Sequence, residues 1–262
     1  MFDFIQYGPA KLQLFLLILL RLGGLFLMAP ILGHRMMPKA AKFGMVILIS
    51  MIMVVALDSV EISPVSSLWE LAGLALKEIL VGAIIGLFFQ LIFYAAQTGG
   101  SIIGYQVGLA IATEFDPNTS SQVSIIGRFW YIIATLLFLA LDGHHMIIRA
   151  FADSYAVIPP AGVAIDGEVG NLIIRYSAYV FVIALKLAAP VMITLFLTDV
   201  AMGTITKTMP SFNVFFVGFP IKISVGLAVI ALSLPIAVYV LEKYLGFLDQ
   251  ELKVMFLSMG KA

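Results

Sequence analysis

The sequence predicts an all-α polytopic membrane protein with about six hydrophobic helical segments, folded as kinked helical hairpins. Three observations predict it. Of 262 residues, 62% are hydrophobic and 11% charged, whereas soluble domains carry about 45–50% and about 25%. That leaves too little charge to cover a water-facing surface. The apolar residues also gather in runs close to the roughly 20 residues a membrane helix needs. Finally, the runs are separated by clusters of Pro, Gly, Ser and Asp, which favour turns over continued helix.

The first run, residues 12–32, follows Lys11 and contains Arg21. Its opening stretch has the length of a signal-peptide core, but apolar sequence continues past Arg21 without an A-x-A site, so it reads as a retained membrane segment. Met37-Pro38 breaks the chain, and a short second run covers residues 43–57. Ser67-Leu68-Trp69-Glu70 fits a capping box, in which the serine caps the helix and the glutamate reaches back, so a helix should start near Leu68. The third run is residues 71–96, and Asp116-Pro117-Asn118 ends whatever helix precedes it. The fourth is residues 123–141. Pro159-Pro160 through Gly170 is the longest polar stretch and reads as an exposed loop. The fifth run is residues 172–198. The sixth, residues 212–241, is long enough for a kinked span or two half-helices, and Pro190, Pro220 and Pro235 interrupt these last two. The chain reads as a single domain, without low-complexity tracts or a fixed-period repeat.

The charges narrow the function. A formal net charge of zero argues against nucleic acid, whose phosphates need clustered Lys and Arg. Absent cysteine removes thiolate catalysis and Cys-based metal sites. No H-E-x-x-H, G-x-S-x-G or phosphate-binding glycine loop occurs. The adjacent His144 and His145 are expected to point in different directions on a helix, and Asp142 and Asp199 stand at run ends. Neither an enzyme nor a cofactor or metal is expected. Arg35, Lys39 and Lys42 suggest a cytoplasmic loop, but Lys243, Lys253 and Lys261 leave no consistent topology.

Two sets of residues stand out. Arg21, Lys77, Glu78, Arg128, Lys186 and Lys222 lie in or beside the apolar runs, at about 2.5–3.5 kcal/mol each on insertion scales. They are open to two readings: an ion or proton pathway, or interhelical pairing, snorkelling and helices that do not stay at bilayer depth. Gly100, Gly104 and Gly108 recur every fourth residue, as do Gly82 and Gly86, which allows helix backbones to approach closely.

Gly104-Tyr105-Gln106-Val107-Gly108-Leu109 with Asp116-Pro117, Leu141-Asp142-Gly143-His144, and the stretch Met209-Pro210-Ser211-Phe212-Asn213-Val214-Phe215-Phe216-Val217-Gly218-Phe219-Pro220 occur in an order and spacing that resembles the FliR family. Its members are R subunits of the bacterial flagellar type III export gate, related to injectisome proteins. The resemblance covers nearly the whole chain. It implies a structural subunit of a helical hetero-oligomeric gate, built with P and Q subunits in the inner membrane within the flagellar basal body. The B subunit and the large A subunit are further implied partners, and unfolded flagellar proteins the cargo. Residues 1–171 would correspond to the P-like part and residues 172–262 to the Q-like part. The resemblance also implies a channel plug near residues 108–122, involving Gly108, Ala110, Ile111, Ala112, Phe115, Asp116 and Pro117. Glu114 stands where family members often carry a bulky apolar residue. Pro210, Phe212, Phe215, Phe216, Gly218, Phe219 and Pro220 would meet neighbouring subunits. The alternative is a small secondary transporter using Lys77, Glu78 and Lys186.

Overall fold

A computed structural model describes residues 9–33, 37–57, 67–109, 124–163, 167–209 and 214–260, apart from the side chains of residues 9, 10, 214 and 215. The regular structure of these residues is entirely helical: α1 (Pro9–Met28), α2 (Lys39–Ala56), α3 (Leu68–Val107), α4 (Ile125–Ala140), α5 (Gly143–Val157), α6 (Gly167–Thr208) and α7 (Val214–Met259). Five are long and apolar enough to cross a membrane, and α4 with α5 makes a sixth if the broken pair counts as one span. The chain is an all-α polytopic membrane protein.

Local chemistry accounts for the boundaries. Pro9 opens α1, where its missing N–H costs no helical bond. Lys42 Nζ reaches back 2.7 Å to the Gly33 carbonyl, satisfying an acceptor after α1. Helix α3 begins at Leu68, as the capping pattern predicts. Ser124 caps α4 by accepting the Gly127 N–H at 3.4 Å. Glu168 in the first turn of α6 and Lys207 in the last complement the helix dipole.

The long helices depart from the expected segments. Helices α3, α6 and α7 have 40, 42 and 46 residues, about 60, 63 and 69 Å at about 1.5 Å per residue. A hydrocarbon core is roughly 30 Å thick, so even at a tilt of about 40° their ends outreach it. Pro190, Pro220 and Pro235 do not interrupt α6 and α7; they lie inside continuous helices. Within an apolar setting a full break would bare several backbone groups, whereas one proline removes a single donor. Of the two readings of residues 212–241, a kinked span or two half-helices, the described part from Val214 onward excludes the second, since it lies within one continuous helix. Helix α5 was missed because Asp142 and Gly143 read as the end of a run, whereas the Asp142 carbonyl accepts the first bonds of a new helix from His145 and Met146.

The described chain forms two compact units. One comprises Met1–Gln90, Asp142–Tyr176 and Gly246–Ala262; the other comprises Leu91–Leu141 and Ser177–Leu245. They interleave along the sequence, and the expected division near residue 171 falls inside α6. The first unit buries Leu17, Ile18, Leu25, Ile85, Phe88 and Phe151. There Phe88 meets Tyr176 edge-on at 4.9 Å, and the Tyr176 hydroxyl donates to the Glu251 carboxylate. The second buries Trp130, Phe138 and Leu195, with Phe93 between Phe138 at 5.4 Å and Tyr131 at 5.5 Å.

Candidate functional site: a loop stem and a buried ion pair

In the second unit, the C-terminal end of α3 and the start of α4 form the two stems of the segment at 110–123. Side-chain-free positions bring them together. A Cβ on Gly100 would stand 2.6 Å from the Trp130 ring and 2.7 Å from the Ile126 carbonyl; one on Gly104 would stand 2.2 Å from Ser124 Oγ. The approach is mutual, since a Cβ on Gly127 would meet Ser101 Oγ at 2.6 Å. At Gly100 the contact needs glycine, because backbone and ring atoms have nowhere to retreat.

Gly108 plays a part beyond the helix-packing role its spacing suggested. It stands just beyond α3 with φ of 87°, a left-handed conformation that favours glycine. Its N–H donates to Tyr105 O at 3.1 Å, and the Leu109 N–H donates to Gly104 O at 3.2 Å. This pair of bonds is a Schellman termination, which closes the helix and aims the chain into the following segment. A Cβ at Gly108 would lie 2.9 Å from the Phe219 ring, and one at Gly226 would lie 2.6 Å from Val107. Helix α7 thus buttresses the stem from within the chain. Phe219, assigned from resemblance to a neighbouring subunit, is at least partly engaged here because Gly108 offers its ring an open face.

Of the other resemblance-based positions, Phe216 is 80% exposed, Pro220 is exposed and Gly218 is buried. Phe215 lies in the first turn of α7. Ala110, Ile111, Ala112, Phe115, Asp116, Pro117, Pro210 and Phe212 lie outside the described residues.

The first unit holds the most concentrated polar cluster. Arg21 on α1 and Glu78 on α3 are both 0% exposed. Arg21 Nε donates to Glu78 Oε2 at 2.6 Å and Nη2 to Oε1 at 3.2 Å, a two-pronged pair. Nη1 donates to Ser154 Oγ at 3.0 Å and to the Ile158 carbonyl at 3.2 Å. The Ala161 N–H donates to Glu78 Oε1 at 3.0 Å, and the guanidinium lies 4.0 Å from the Tyr155 ring centroid. Glycine again makes this possible. A Cβ on Gly82 would come within 1.7 Å of the Arg21 carbonyl oxygen, and one on Gly24 within 2.2 Å of the Ile79 carbonyl. Helices α1 and α3 therefore meet backbone to backbone, and Gly86 extends the seam along Leu25.

The expectation of an exposed loop from Pro159-Pro160 through Gly170 holds at Pro159, Gly167, Glu168 and Gly170, although a helix already begins at Gly167, and the cluster corrects it at the turn. Ile158, Pro160 and Val163 are buried, because the turn supplies the donor and acceptor that the buried ions require. The other charges separate. Lys222 Nζ pairs with Asp199 at 2.5 Å, with side chains 27% and 42% exposed. Lys77, Arg128 and Lys186 are exposed and take no ion pair among the described residues. These three are therefore neither buried nor ion-paired among the described residues, and hydropathy alone could not separate them from Arg21 and Glu78. The triad suggested for a transporter thus comprises two exposed lysines and a glutamate already committed to Arg21.

Sequence reasoning missed Ser154, Tyr155, Ser124 and Trp130 as partners. A usable signal existed: Arg21 precedes Gly24 by three residues and Glu78 precedes Gly82 by four, so each charge sits one turn from a close-approach glycine.

Residues 12–248 match the family described as bacterial export proteins, family 1. The chain is 30% identical over 252 residues to the flagellar biosynthetic protein FliR of Bacillus subtilis (strain 168), covering 94% of this chain and 95% of that protein. It is 34% identical over 210 residues to the FliR of Pectobacterium carotovorum subsp. carotovorum, with 79% of each covered. To the FliR of Escherichia coli (strain K12) it is 32% identical over 225 residues, covering 86% and 85%. On this family match and these near full-length likenesses, the chain belongs to the bacterial export proteins, family 1.

Proposed function

We propose that this chain is a structural, channel-forming subunit of the flagellar type III protein export gate in the bacterial inner membrane, within the basal body. It acts with P and Q subunits, and with the B subunit and the large A subunit, to pass unfolded flagellar proteins. Residues 1–171 serve as the P-like part and residues 172–262 as the Q-like part. The segment near residues 108–122 contributes to the plug of the closed channel.

One observation carries this reading: the stems of that segment are held by close backbone packing, with Gly104 against Ser124 and a Schellman turn at Gly108. A gate must block ions while resting and admit a chain when open. A segment hung between fixed stems can move without unfolding its scaffold, and small and apolar side chains in it seal by excluding water. Helices longer than a bilayer is thick, with Phe216, Leu232 and Tyr239 exposed on α7, supply surfaces for neighbouring subunits. No nucleotide motif occurs in the sequence, so the energy for export comes from other components.

The test is deletion of residues 110–114 in the assembled complex. Increased permeability to small ions is expected in a reconstituted or whole-cell conductance assay. Unchanged conductance in a complex that still assembles would remove the plug assignment.

A further inference from the structure

We infer that Asp142, His144 and His145 form a three-donor site for a divalent transition-metal ion of the zinc class. Among the described residues, this is the one cluster whose three potential ligand atoms converge, all within 4.8 Å of one another. The residues sit where α4 ends and α5 begins, and neither the ion pair nor the loop stem uses them.

The sequence places the donors together. Asp142 precedes the first residue of α5 and His145 is three residues further on, a spacing that sets both on one face. An aspartate here usually caps the helix through its carboxylate, yet Asp142 makes no side-chain cap. Its Oδ1 lies instead 3.2 Å from His145 Nδ1. That gap suits a hydrogen bond, and it equally matches the separation of about 3.3 Å between two ligands of one tetrahedral ion bound at about 2.05 Å. His144 was expected to point elsewhere, but side-chain torsions bring its ring to 4.1 Å from that of His145, centroid to centroid. Its Nδ1 is shut off from solvent and takes no partner among the described residues. A buried ring nitrogen without a partner is costly unless something binds it or the ring moves to use it.

The donor set selects the ion. Two imidazoles and one carboxylate suit zinc, nickel or copper; calcium and magnesium prefer all-oxygen shells. Three protein ligands leave a fourth position for water. With His145 63% and Asp142 73% exposed, the site is open to exchange. A bound ion would tie the turn between the helices to the first turn of α5.

The experiment uses the full-length chain extracted in mild detergent with whatever subunits accompany it, stripped of metal and titrated with zinc. Wild type is expected to retain about one zinc ion per chain that the double variant His144→Gln/His145→Gln lacks. Asp142→Asn is expected to weaken binding at least tenfold. Cobalt in place of zinc should give visible absorption bands that disappear in the double variant. Equal zinc retention in wild type and double variant, or no saturable binding to wild type, overturns the proposal. Should the double variant fail to fold by circular dichroism, the wild-type cobalt spectrum decides: bands of mixed nitrogen–oxygen ligation support the site, and their absence removes it.

Discussion

The two halves of α3 are packed by opposite means. In the first, residues up to Gln90, glycines admit α1 so closely that a buried arginine and glutamate lock together. In the second, glycines admit α4 with hydroxyls, a tryptophan ring and backbone in contact, and no ion pair joins the two helices among the described residues. The same residue type creates both seams. The difference lies in what stands one turn away: a charge on each helix in the first, small or aromatic groups in the second. A buried ion pair is all-or-none, because losing one partner strands the other. Steric contacts are lost one at a time.

That contrast can be broken most forcefully at Glu78. Glu78→Ala leaves Arg21 buried and unpaired and is expected to destabilise the chain by about 3–5 kcal/mol. Replacing both partners, Arg21→Met with Glu78→Leu, should recover most of that loss. Denaturation in detergent followed by helix content measures both; a double variant no more stable than the single one would show that the wider cluster, beyond the pair, is what matters.

Gly104→Leu probes the steric seam. A Cβ alone could be met by turning the Ser124 hydroxyl away, but with Ser124 Cβ 3.3 Å and Ile126 Cβ 3.6 Å from it a whole leucine side chain is expected to push the helices apart, at about 1–3 kcal/mol for overpacking, and assembly with partner subunits should fail. Normal co-purification of the variant would show that the stem yields more easily than its packing implies.

The smallest effect is expected at Lys222. Lys222→Met breaks a part-exposed pair with Asp199, worth about 0–1 kcal/mol. The same denaturation measurement should barely separate it from wild type. A loss approaching that of Glu78→Ala would mean that an ion pair matters equally in both settings.

Much of the fold was legible because bulk burial follows composition. Apolar runs mark every long helix, and the capping pattern at Ser67 predicts a start near Leu68, where α3 begins. Proline left two readings open, a kinked span or half-helices, and in α6 and α7 the surrounding helix outweighs one missing donor, so the chain does not break. The candidate sites were legible only as residue types. Glycine spacing announced close packing without naming the partner: Gly108 meets the Phe219 ring, and its positive φ, which spacing could not show, also makes it a helix stop. Lys77 beside Glu78 shows the limit most plainly: adjacent charges in one run, one exposed and one buried. A rotation of about 100° per residue decides which way each faces.

The sequence by itself determined the helical class, the membrane setting and, through ordered motifs, the family. These depend on sums and local order, which a linear string carries in full. Only the tertiary structure decided that Arg21 finds Glu78, Ser154 and the turn at Ile158, and that Gly104 finds Ser124. Those pairings depend on how far helix backbones approach and how they are rotated, and that geometry exists only once the helices have met.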